Sequence, residues 1–254
     1  MKILQLSAIL IFALSVSLFA QSTDEINQML ETAQRLMDKT KESEALDTYM
    51  EVLKHDPENY EALWNAGLLN SAIGYRYDDE NIQKEHFNQA IKLAQKGVDL
   101  YPDSVAPRYV VAVAKGRLSN VVGTRKRIRL SHEIEESVRK ALELNPKHSP
   151  SLHLYGVWNS EVANLSRGER FAARFISRGL PNGSNEKAEE LLKKAVEQEP
   201  DNILVRLDLA RHYIRIGEND RAVPWLQDLA DMEPATKDGP DYLDTARKLL
   251  EDLR

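Results

Sequence analysis

The chain has 254 residues, enough for one or two ordinary domains or one elongated repeat array. With 42% hydrophobic and 29% charged positions it can bury a core, which excludes a disordered tail. A net charge of −6 excludes a chain-wide basic footprint for nucleic acid, and zero cysteines exclude disulfides, thiolate metal sites and a cysteine nucleophile.

The first element in chain order is a leader. Met1-Lys2 precedes an uncharged stretch from Ile3 to Ala20, which gives way to Gln21-Ser22-Thr23-Asp24. This pattern predicts a signal peptide over 1–20, cut after Ala20, and hence an exported protein, periplasmic or secreted. The alternative is a membrane anchor formed by an uncleaved signal.

Beyond the leader the chain repeats. Five segments close alike at Pro57, Pro102, Pro146, Pro200 and Pro234, spaced 45, 44, 54 and 34 residues apart. The last spacing is that of the tetratricopeptide repeat, a pair of antiparallel helices. In that repeat small residues are needed where the helices cross, at positions 8, 20 and 27 of each unit. Counted from the prolines, those positions hold Ala33, Gly67, Ala112, Gly156 and Ala210, then Ala45, Ala90, Ile134, Ala188 and Ala222, then Val52, Gly97, Ala141, Ala195 and Leu229. Twelve of the fifteen are Ala or Gly, and none of them was used to set the register. The fold expected is an all-α, right-handed tetratricopeptide-repeat solenoid over 21–254. Its repeats lie near 26–59, 60–104, 105–148, 149–202 and 203–236, with a capping helix near 240–253. Leu63, Leu68, Leu192, Leu207, Leu209 and Tyr213 recur at helical spacing and read as core. Pro224 is expected in the first turn of the last second helix, where a missing N–H is tolerated.

The first three spacings, which span the second, third and fourth repeats, exceed the repeat length by 11, 10 and 20. The phase of the small residues places the extra residues near 74–88, 119–131 and 163–185, between the two helices of each pair and on one edge of the solenoid. Either that edge is used in function, or the helices are simply longer and pack on each other. Two inserts are basic. The second contains Arg125, Lys126, Arg127 and Arg129; the third contains Arg167, Arg170, Arg174 and Arg178, with Phe171 and Phe175 beside them. If helical, the third sets its four arginines along one face, suited to an anionic lipid head group or envelope glycan. The competing reading pairs these arginines with acidic residues of neighbouring repeats.

The inner helices of such an array line a concave groove through repeat positions 2, 5, 9, 12 and 13. Here those positions include Trp64, Leu68, Tyr109, Val113, Arg117, His153, Val157, Leu207, Arg211, Ile214 and Arg215. Apolar anchors beside arginine suit a protein or peptide partner with apolar side chains and a carboxylate. The alternative is that the inserts or the C-terminal helix cover part of the groove. No catalytic motif is present: His132-Glu133 lacks a second histidine at HExxH spacing, and there is no GxGxxG, P-loop or GxSxG. The sequence predicts no catalytic residues, no cofactor and no metal. The function expected is a non-enzymatic interaction scaffold.

The run Leu144-Asn145-Pro146-Lys147, then Leu152-His153-Leu154 with Gly156 and Trp158, then Glu161-Val162-Ala163-Asn164-Leu165, resembles the regulator of microtubule dynamics family. Leu180-Pro181 and the close with Tyr213, Gly217, Ala222 and Trp225 are similar as well, so the resemblance covers roughly 60–250. It implies a tetratricopeptide-repeat protein without enzymatic activity. The family's eukaryotic members are associated with microtubules and organelle membranes, whereas the leader argues against a cytosolic microtubule partner here. The chain thus resembles a bacterial, exported relative.

Overall fold

The second helices of the first four repeats stop two residues short of their prolines, and that of the last repeat stops four short of Pro234; the missing N–H and the proline ring end helical hydrogen bonding there. A computed structural model describes residues 23–173 and 179–253. The leader over 1–20, together with Arg174, Phe175 and Arg178, lies outside the described residues. Twelve helices are described. They are α1 (23–38), α2 (Glu42–His55), α3 (Tyr60–Tyr75), α4 (Glu80–Leu100), α5 (Val105–Asn120), α6 (Thr124–Leu144), α7 (Ser149–Ala163), α8 (Arg167–Ala173), α9 (Asn185–Gln198), α10 (Ile203–Arg215), α11 (Asn219–Ala230) and α12 (Gly239–Asp252). Five pairs follow in order, α1/α2, α3/α4, α5/α6, α7/α9 and α10/α11, and α12 caps the array. Two residues after Pro57 and Pro200, Asn59 and Asn202 start the next helix, their side chains accepting from Ala62 N and Val205 N.

The small positions do the work expected of them. A Cβ on Gly156 would meet Leu192 Cγ at 2.7 Å, and one on Gly67 would meet Val110 Cγ1 at 3.1 Å, because backbones there approach closely. Ala33, Ala45, Ala90, Ala112, Ala141, Ala188, Ala195, Ala210 and Ala222 are fully buried. Consecutive first helices pack side by side, α3 on α5, α5 on α7, α7 on α10 and α10 on α12. The second helices make no comparable contact with one another. The layer that stays in touch is the inside of the curve, so α3, α5, α7 and α10 carry the concave face.

The first two inserts are longer helices: α4 and α6 each run 21 residues. Their added turns are joined through α5, where Leu118 lies in one buried cluster with Phe87 of α4 and Leu130 of α6. The third insert is a separate element, α8, after which the chain returns across the end of α7. Pro224 is placed differently from expectation. It is the sixth residue of α11, past the first turn, and it is tolerated because that face is exposed and water can reach the Asp220 carbonyl.

One connection spans the whole array. Arg76, at the end of α3, forms two hydrogen bonds with each of two carboxylates. Nε and Nη2 donate to Asp238 at 2.7 and 2.9 Å, while Nη1 and Nη2 donate to Glu42. Asp238 immediately precedes α12 and Glu42 opens α2, so one guanidinium joins the first repeat, the second repeat and the cap.

Candidate functional site

Trp64, Leu68 and Tyr109 sit half-buried against a cluster of Ala94, Val110 and Val111, and Val157 and Ile214 sit half-buried against the C-terminal cluster. Val113 and Arg117 are also half-buried. Leu207 departs from the groove set. It is fully buried, in one cluster with Leu243 and Ala246, because α12 packs on the face of α10 that a middle repeat would leave open.

Charge on this face is arranged in two ways. In the C-terminal half, His153 Nε2 donates to Asp208 Oδ2 at 2.8 Å and Arg211 Nη1 donates to Asp208 Oδ1 at 2.9 Å. Burial opposes ionisation of Asp208, and His153 and Arg211 overcome it, holding its carboxyl below the usual range. Arg215 Nη1 donates to Ser160 Oγ at 2.9 Å, and that hydroxyl bonds His212 Nδ1 at 2.8 Å. Ser160 and His212 are each only 1% exposed, so this pair is out of reach of a substrate, and burial keeps the His212 ring low in basicity.

In the N-terminal half Arg117 has no carboxylate at ion-pair distance among the described residues. Its Nη1 reaches Ser71 Oγ at 3.4 Å and its guanidinium lies 5.0 Å from the centre of the Tyr75 ring. The hydroxyls of Tyr109, Tyr242 and Tyr75 and, more weakly, the Asp238 carboxylate ahead of α12 are within its electrostatic reach. Burial weighs against the charge on Arg117, and it pushes the Tyr109 phenol up to about 12. Asp208, Glu161, Tyr75 and Tyr242 belong to this face but were not among the residues read from the sequence. Glu161 was within reach of the repeat count, since it holds the same position 13 as Arg117 and Arg215.

The basic edge is partly neutralised from within. Arg127 Nε donates to the Ser119 carbonyl at 3.0 Å, with Glu169 3.9 Å away, and Arg129 lies 3.8 Å from Glu133. Arg170 donates to the carbonyls of Leu165 and Ala163. Arg125, Arg127 and Arg129 are exposed at the start of α6, with Lys126 half-buried among them; Arg167 and Arg170 are exposed on α8, and Phe171 is 60% exposed. Among the described residues no three His, Asp or Glu side chains converge to hold a metal ion.

The family model for regulator of microtubule dynamics proteins 1–3 matches residues 29–254. Regulator of microtubule dynamics protein 1 of Bos taurus is 25% identical over 231 residues, spanning 89% of this chain and 71% of the bovine protein. The protein of the same name from Pongo abelii is 24% identical, over 93% of this chain and 76% of its own length. Among solved structures, a thermophilic tetratricopeptide-repeat protein of Thermus thermophilus superposes with a TM-score of 0.68 at 20% identity, covering 89% of this chain and 99% of that one.

Proposed function

Because the chain belongs to the regulator of microtubule dynamics family and is built as a tetratricopeptide-repeat solenoid, we propose that it is a non-enzymatic scaffold whose concave face holds a protein or peptide partner. One observation carries this reading. A row of half-buried apolar side chains, Trp64, Leu68, Tyr109, Val113 and Val157, continues into an arginine that has no ion-pair partner among the described residues. Apolar anchors with a desolvated guanidinium are the features that concentrate binding energy at protein interfaces. The leader, an uncharged stretch after Lys2, supports an exported location, and that location would argue against a cytosolic microtubule partner.

A photoreactive side chain placed at Val113 tests the groove against the same group at Lys193, exposed on the outer helix α9. Protein adducts are expected from Val113 and not from Lys193. Equal labelling from both positions, or none from Val113, overturns the reading.

A second reading, binding of an anionic lipid or glycan at the inserted edge, is favoured by the start of α6. Its first turns carry four cations and no acidic residue in the first turn, although the positive end of a helix dipole disfavours cations. Replacing Arg125, Lys126 and Arg129 by Gln should weaken flotation with anionic liposomes at low salt while leaving the melting temperature unchanged. Equal flotation removes this reading.

A further inference from the structure

Position 13 of successive inner helices holds Arg117 on α5, Glu161 on α7 and Arg215 on α10, an alternation of positive, negative and positive charge. These helices are neighbours in the concave layer, and the axes of packed neighbours lie about 8–10 Å apart. Arg215 is anchored by Ser160 and stays exposed. Arg117 and Glu161 make no ion pair among the described residues, with each other or with any other side chain. Glu161 is exposed, and the protein beside it partly desolvates its carboxyl and lifts it above the usual range, Asp208 adding to the lift against the pull of Arg215. Burial likewise disfavours the charge on Arg117. Two opposite charges, neither in an ion pair among the described residues, therefore stand on adjacent helices of the groove.

A single extended peptide can satisfy both. In polyproline II conformation the rise is about 3.1 Å and residues three apart share a face, so they lie roughly 9 Å apart, which matches the helix spacing. We propose that this row reads a peptide strand in which an acidic and a basic side chain lie three residues apart, the carboxylate over Arg117 and the cation over Glu161. The assignment rests on the groove reading above and gives that partner its charge pattern. Trp64, Leu68 and Val113 supply the apolar floor beside the acidic end. His153, Asp208 and Arg211 make the far end polar, which suits peptide groups better than an acyl chain.

The full chain is panned with a random-peptide display library. Enriched sequences should share an acidic and a basic residue three positions apart in a fixed order. A synthetic peptide from that set should lose about tenfold in affinity when its basic residue becomes Gln, about 1.4 kcal/mol. The same change should have no effect on binding to Glu161→Gln, a substitution at an exposed position that leaves the packing intact. Enriched peptides without the charge pair, or an equal loss on wild type and Glu161→Gln, overturn the proposal and leave the groove reading standing. Failure to enrich any peptide overturns both.

Discussion

A Cβ at Gly183 would come within 2.5 Å of Ala163 N and 2.7 Å of Asn159 O, backbone atoms that cannot rotate aside. The glycine lets the returning insert lie flat on the end of α7, where Ser184 N donates to Asn159 Oδ1 at 3.3 Å. Gly183→Ala should destabilise the protein by about 1–3 kcal/mol in urea titration, as overpacking does. Asp208 allows a test with a definite sign. Its folded carboxyl titrates below its ordinary 3.8, so its contribution is complete above about pH 4 and is lost as pH falls through the lower folded value. Asp208→Asn should therefore lower stability at neutral pH and flatten the loss of stability on acidification. A melting-temperature series from pH 7 to about pH 2.5 checks both effects.

At the scale of elements, the helix pairs were legible because proline spacing and small residues report the same packing from independent positions. Phase alone gave the size of the inserts but not their form, since extra residues lengthen a count equally as longer helices (α4, α6) or as a new one (α8). Leu207 was placed in the groove because position 5 is open in a middle repeat; the adjoining cap closes it in the last. Pairings between helices were out of reach for another reason. His153 finds Asp208 across 55 residues and Arg76 finds Asp238 across 162, and no local pattern encodes such meetings. The second of these also fixes how α12 is held. Asp238 is kept ionised by Arg76, so Arg76→Gln should loosen the cap at neutral pH. The expected loss is about 1–2 kcal/mol, with faster amide exchange in α12 and little change in α9. Unchanged exchange in α12 would show that Leu243 and Ala246 hold the helix alone.

For the whole molecule, an array in which each repeat touches only its neighbours unfolds piecemeal, as a chain of coupled units. The Arg76 junction breaks that rule by making the second repeat a neighbour of the cap. Single-tryptophan variants that keep only Trp64 or only Trp225 should unfold in urea in one transition with the same midpoint. Adding Arg76→Gln should separate the two midpoints, the C-terminal one moving first. A solenoid is ordinarily a spring, and its groove widens or narrows as the coil flexes to fit what it holds. Fastened at Glu42, Arg76 and Asp238, this one is closer to a hoop with a clasp. Its bore is set before a guest arrives, and a bulky guest has to be threaded through or wait for the clasp to open.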